Sequence, residues 1–155
     1  MRLGIDPGLQ GAISWLGDDL KLLWISDMPV MAMGTKGKKQ VNAAELAKII
    51  DHWKSKSDGG LTAYLEYVSA QPGQGVSSMF NFGKSCGVVE GILGALQIPM
   101  ILVTSQTWKK RAGLQGKPKD AARTLAQQLY PGADLSRKKD IGRADAILIA
   151  RFGLK

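Results

Sequence analysis

Cysteine and histidine are almost missing from this chain: Cys86 and His52 are the only examples of each. A lone cysteine cannot close an internal disulfide, and one cysteine with one histidine cannot supply a Cys/His zinc site. Long hydrophobic runs are missing too. No apolar stretch approaches the roughly 18 residues that span a bilayer, so no transmembrane helix and no membrane partner are expected. Met1-Arg2 leads straight into a first predicted strand, which leaves no room for a signal peptide. Neither repeats nor a linker divide the sequence. Residues 1–155 are read as one domain, long enough to bury a proper core, with the cytoplasm as its expected compartment.

Acids are the scarcer charge, thirteen against twenty-one bases, for a net charge of +8. Eleven of those bases fall in four short stretches: KGKK (Lys36, Lys38, Lys39), WKKR (Lys109, Lys110, Arg111), GKPK (Lys117, Lys119) and RKK (Arg137, Lys138, Lys139). One such cluster is an ordinary solvated loop. Four of them point to a polyanionic partner, nucleic acid rather than a membrane surface.

The pattern of apolar residues predicts strands at Arg2–Asp6, Gly11–Leu16 and Lys21–Met28, with a hairpin turn at 17–19. Pro29–Val41 reads as a flexible, basic connection. Asn42 can cap a helix over Ala43–Lys54, whose Leu46, Ile49, Ile50 and Trp53 share a stripe, and Gly59-Gly60 ends that unit. A strand at Leu61–Val68, a polar loop and a helix at Met79–Leu96 follow. Then come a strand at Met100–Val103, a short helix that Ser105 can cap, a helix at Lys119–Leu129, and a last helix from about Ile141 to Phe152. Three leading strands followed by alternating helices and strands make a mixed α/β sheet.

Against this background three acids are out of place. Asp6 ends the first apolar strand, in GIDPG; Pro7 and Gly8 are explained by a turn, but an acid at the mouth of a sheet is not. Glu66 lies near the end of the β-rich run LTAYLEYV. Asp145 shares one helix face with Leu148, Ile149 and Phe152. Each has an ordinary explanation: a turn, an edge-strand acid, an acid facing a helix N-terminus. Together at strand ends they read better as a shared site for divalent metal. Asp140 directly precedes the last helix and can serve either as its N-cap or as a further ligand. Mg²⁺ favours carboxylate oxygens and completes its shell with phosphate, and two such ions can activate water against a phosphodiester. Acids for metal, ringed by bases for a DNA backbone, specify a nuclease.

GIDPG closing a first strand, a Glu ending the fourth, WKK, KPKDAA and the terminal ADAILIA resemble the RuvC-type Holliday-junction resolvases of the RNase H-like superfamily. The likeness runs over nearly the whole chain in order and spacing. It implies a five-stranded mixed sheet flanked by helices, with three antiparallel leading strands and then parallel ones. It also implies a homodimer that nicks opposed strands of a four-way DNA junction, in recombination and repair, with two Mg²⁺ ions per site and Mn²⁺ as a substitute. Asp6, Glu66 and Asp145 match the family's metal acids. Asp140 resembles the fourth, although its spacing to Asp145 is longer than the family's pattern. Lys109 and Lys119 correspond to bases that contact the scissile-strand phosphates. Where the family often carries a base-stacking aromatic after the catalytic Glu, this chain has Ser69; Phe80 and Phe82, further on, are either substitutes or core residues. The size resembles a phage or prophage version.

Two other readings stay open. One is a YqgF-like nuclease acting on RNA, which shares a GxDxG opening. The other is a catalytically silent protein that binds branched DNA. Finally, Gly83, Gly87 and Gly91 recur every four residues along one helix, at a cost of roughly 1 kcal/mol each against Ala. Either that face lies against the protein's own sheet, or it meets its copy across a two-fold axis.

Overall fold

Leu3 and Ile5 are fully buried on strand β1 (Arg2–Asp6), which occupies the centre of the sheet. The computed structural model describes residues 1–58 and 60–154; Gly59, read above as part of the break after the first helix, lies outside them. Strands β2 (Ala12–Leu16) and β3 (Leu22–Asp27) extend the sheet antiparallel on one side of β1. The later strands β6 (Thr62–Tyr67) and β7 (Met100–Thr104) extend it parallel on the other, in the order β3-β2-β1-β6-β7. This is the expected mixed five-stranded sheet.

Between β3 and the first helix, the segment read as a flexible, basic connection contains a hairpin. Strands β4 (Val30–Ala32) and β5 (Lys39–Val41) pair antiparallel as a separate hairpin, with Val30 opposite Val41. Gly34 and Gly37 take positive φ at its tip, which lets the basic KGKK stretch turn and pair. Lys36 and Lys38 therefore sit in a hairpin loop, and Lys39 begins its second strand.

Helix α1 (Ala43–Ser55) is capped as expected: the Asn42 side chain accepts from the Glu45 backbone N–H at 3.1 Å. It buries Leu46 and Ile50 on one face of the sheet, together with Val89 and Leu93 of helix α2 (Val76–Ala95). The opposite face is covered by α3 (Ser105–Arg111), α4 (Asp120–Leu129) and α5 (Ile141–Phe152) around Trp108, Leu135, Ile147 and Leu148. Thr104, not Ser105, caps α3, its hydroxyl accepting from the Thr107 N–H at 3.2 Å.

Two glycines set how closely α5 lies on the strands. A Cβ at Gly4 would run into the Ala146 carbonyl and the Ala150 side chain, and one at Gly142 into the Gln10 carbonyl. Ser14 Oγ donates to the Ala146 carbonyl at 2.9 Å across the same seam. The first turns of α5 are thereby pressed against the ends of β1 and β2, where Asp6 is.

The glycine stripe of α2 does not face the sheet. Gly83, Gly87 and Gly91 are exposed, and a Cβ built on any of them meets no described residue within 4 Å. Ser85, Val89 and Leu93 are the residues α2 turns inward. Packing against the protein's own sheet therefore does not account for these glycines. Phe80 is 74% exposed on the same helix, so it is no core residue either, whereas Phe82 is half-buried.

Candidate active site

Parallel pairing of β1 with β6 places Ile5 opposite Leu65, so Asp6, the last residue of β1, and Glu66, the last but one of β6, follow side by side on neighbouring strands. Asp6 closes β1 into an Asx turn, the Gly8 N–H donating to its Oδ1 at 3.2 Å, which is what the Pro7-Gly8 pair permits. Asp145 arrives from the second turn of α5. Three acids far apart in sequence thus come within electrostatic range of one another.

Their crowding is visible in their protonation. Burial, then repulsion from Glu66, pushes Asp6 up to about 6, against the opposing pull of the Gly8 N–H and Lys109. Burial, then repulsion from Asp6 and Glu66, pushes Asp145 up to about 7, with Lys109 and Lys119 opposing. Burial also raises Glu66, while a hydrogen bond from Trp108 and the charge of Lys109 pull it down. A cleft of about 440 Å³ opens beside Glu66 and Asp145, lined also by Tyr67, Ser69, Gln71, Thr104 and Lys109 among others. A second hollow of about 180 Å³ runs from Asp145 and Lys109 to Lys117 and Lys119.

Among the described residues, no three His, Cys, Asp or Glu side chains already stand at the spacing of a closed metal shell. The chemistry of the donors nevertheless fits a hard divalent cation. All three are carboxylates, and Asp145 Oδ1 is buried without a hydrogen-bond partner among the described residues. An orphaned carboxylate oxygen beside two more acids is stable only protonated or beside a cation.

Asp140, expected either as a cap or as a fourth ligand, lines neither of the two hollows. It is fully buried, and its carboxylate is taken up by Arg137: Oδ2 accepts the backbone N–H at 2.7 Å, and Oδ1 accepts Nε at 2.9 Å and Nη2 at 2.6 Å. Burial works against its charge, but these hydrogen bonds outweigh it and hold Asp140 below the usual carboxylate range. It makes no side-chain cap on α5 either; it closes the 3₁₀ turn Lys138–Asp140 that precedes it. Arg143 extends the network, donating to Asp27 at 2.6 Å and to Asp134 at 2.8 Å. These ion pairs anchor the start of α5 to the end of β3.

The basic residues divide in the same way. Lys109 and Lys119 face the acids, and Lys117 lines the adjoining hollow. Arg111 turns away, donating to the Phe152 carbonyl at 3.2 Å. Lys138 and Lys139 lie on the 3₁₀ turn near Asp140, and Lys110 near the end of α3. Sequence reasoning missed Trp108 and Tyr67. Tyr67 is half-exposed at the cleft, and Trp108 Nε1 donates to Glu66 Oε1 at 3.0 Å. No local signal links Trp108 to Glu66, because 42 residues separate them.

No protein-family model matches the chain. Over 121 residues, 76% of its length, it is 34% identical to Holliday junction resolvase MOC1, chloroplastic, of Chlamydomonas reinhardtii. The chain spans only 14% of that relative's length. Among solved structures, T. thermophilus RuvC in complex with Holliday junction substrate superposes with a TM-score of 0.64 at 16% identity, covering 98% of this chain and 93% of that one. A Thermus thermophilus RuvC structure superposes with a TM-score of 0.58 at 13% identity, covering 96% and 90%. The chain therefore has the RNase H-like fold of RuvC, and three quarters of it is homologous to a segment of a chloroplast Holliday junction resolvase.

Proposed function

We propose that this chain is a metal-dependent endonuclease that resolves four-way DNA junctions by paired nicks, acting as a homodimer. The grouping of Asp6 with Glu66 and Asp145, the last two lining an open cleft beside Lys109 and the hollow of Lys119, carries the reading. Three carboxylates alone would repel a phosphate backbone. With Mg²⁺ or Mn²⁺ held by these carboxylates, the ions would supply the positive charge that activates water and stabilises the leaving 3′ oxygen. Lys109 and Lys119 neutralise and orient the phosphates on either side of the bond to be cut. Water adds to phosphorus and the P–O3′ bond breaks, leaving a 5′-phosphate and a 3′-hydroxyl. The 34% identity to MOC1 favours a junction over RNA as substrate.

Incubating the protein with a labelled mobile four-way junction and Mg²⁺ tests this directly. Symmetric nicks on two opposed strands, absent in EDTA, are the expected result. Binding without cleavage would leave a silent branched-DNA protein, and preference for RNA the YqgF-like alternative.

Asp140 belongs to the scaffold in this reading. Asp140→Asn is expected to keep cleavage within a few-fold of the parent and to lower thermal stability, because Arg137 loses a charged partner that is fully buried. Near-complete loss of cleavage at unchanged melting temperature would make it a ligand after all.

The exposed glycines of α2, in line with exposed Val76 and Phe80, suit a close helix-to-helix contact across a two-fold axis. Gly87→Leu has room in the monomer and a better helix propensity, so its fold is expected to survive. It should nonetheless sediment as a monomer and lose paired nicking. A parent that is itself monomeric at micromolar concentration, with or without junction DNA, refutes the dimer.

A further inference from the structure

We propose that Trp108 is a positioning residue for the acidic site, holding Glu66 through its indole N–H and Lys109 through its ring face. This rests on the metal-dependent reading above. The side chain is fully buried in the core beneath α5, yet its Nε1 reaches the Glu66 carboxylate at 3.0 Å, and Lys109 Nζ sits 5.2 Å from its ring centroid. One rigid residue therefore touches both an acid and a base of the cleft.

The chemistry suits tryptophan in particular. An indole N–H only donates, so it cannot compete with the carboxylate as an acceptor for a cation, and it carries no charge into the core. A buried indole N–H needs a partner, and here that partner is a carboxylate, the stronger kind of hydrogen bond. The bond commits Oε1 and restricts rotation of the Glu66 carboxyl group. Lysine over the ring is drawn by the negative π face, which keeps its ammonium near the acids. The Thr104 cap sets the start of α3, which carries both Trp108 and Lys109.

Trp108→Phe keeps the aromatic body and deletes the donor. Binding of Mn²⁺ to the DNA-free protein, read from the electron paramagnetic resonance of the free ion, is expected to weaken by about tenfold, as loss of an outer hydrogen bond to a ligating group does. The Mn²⁺ concentration for half-maximal junction cleavage should rise by the same factor. In a Glu66→Gln background the same substitution should add little further loss of Mn²⁺ binding. Leu135→Ala, in the same core, serves as a control for packing: its melting temperature should fall without a shift in Mn²⁺ affinity. A second variant with benzothienylalanine at Trp108, which keeps the shape and lacks the N–H, should reproduce Trp108→Phe even if the phenylalanine variant folds poorly. Unchanged Mn²⁺ affinity in both Trp108 variants, or an equal shift in Leu135→Ala, overturns the proposal. A parent that binds no Mn²⁺ overturns the metal-dependent reading and this proposal together; a parent that binds it with unmoved variants overturns this proposal alone.

Discussion

Asp6→Asn, Glu66→Gln and Asp145→Asn should each lower junction cleavage by on the order of 10³-fold or more, while junction binding survives. The magnitude follows from several kcal/mol of charge stabilisation at the phosphodiester being withdrawn when a cation ligand is lost. Binding survives for a simpler reason. Each substitution removes a negative charge from a cleft that must accept a polyanion, and Lys109 and Lys119 remain in place. Cleavage rates and gel-shift affinities in Ca²⁺, measured on the same preparations, check both halves. A variant that cuts within a few-fold of the parent would show that its acid holds no metal.

The second large effect is on stability, and it has the opposite sign for one of the same residues. Asp145 titrates near 7 in the fold, against about 3.8 as an ordinary side chain, because it is buried and faces Asp6 and Glu66. Between those values the folded chain binds more protons than the unfolded one, so stability falls as pH rises from about 4 through about 7. Asp6 adds to the fall between about 4 and about 6. Without metal, the parent should be more stable at pH 5 than at pH 8 through these groups. Asp145→Asn cannot ionise, so in EDTA at pH 8 it should melt above the parent, by on the order of 3 kcal/mol or about 5–10 °C. At pH 4, where Asp145 is protonated in the fold, the advantage should shrink to little. Mg²⁺ at pH 8 should raise the parent and leave the variant nearly unmoved. Melting curves at the two pH values, with and without the ion, decide; equal parent and variant curves at pH 8 in EDTA would show that the acids are not crowded.

The two predictions describe one trade. Carboxylates that would bind a cation destabilise the fold until the cation arrives, so function and stability pull Asp145 in opposite directions.

Much of this was legible in the residues themselves. An acid ending an apolar strand, another ending a β-rich run and a third inside a helix's apolar stripe are local anomalies, and periodicity alone places them at element ends. The Asn42 cap was readable for the same reason, since a cap involves only the next three residues. The strand segments and the mixed character of the sheet follow from such short-range patterns.

What only the tertiary structure decided lies in contacts between distant segments. Asp140 looked equally suited to a cap and a ligand; its pairing with Arg137, and the reach of Arg143 to Asp27, 116 residues away, belong to the tertiary structure alone. The glycines of α2 suited either a seam against the sheet or a contact with a copy, and which face of a helix turns inward depends on what packs against it: here Ser85, Val89 and Leu93 turn inward and the glycines do not. Trp108 showed no tie to Glu66 in the sequence. The hydrogen bond between them exists because α3 is seated under the end of β6, an arrangement set by core packing rather than by any local preference. Sequence periodicity determined which residues sit at the ends of strands and helices; the side chains that hold them there were selected by the close packing of elements far apart in the chain.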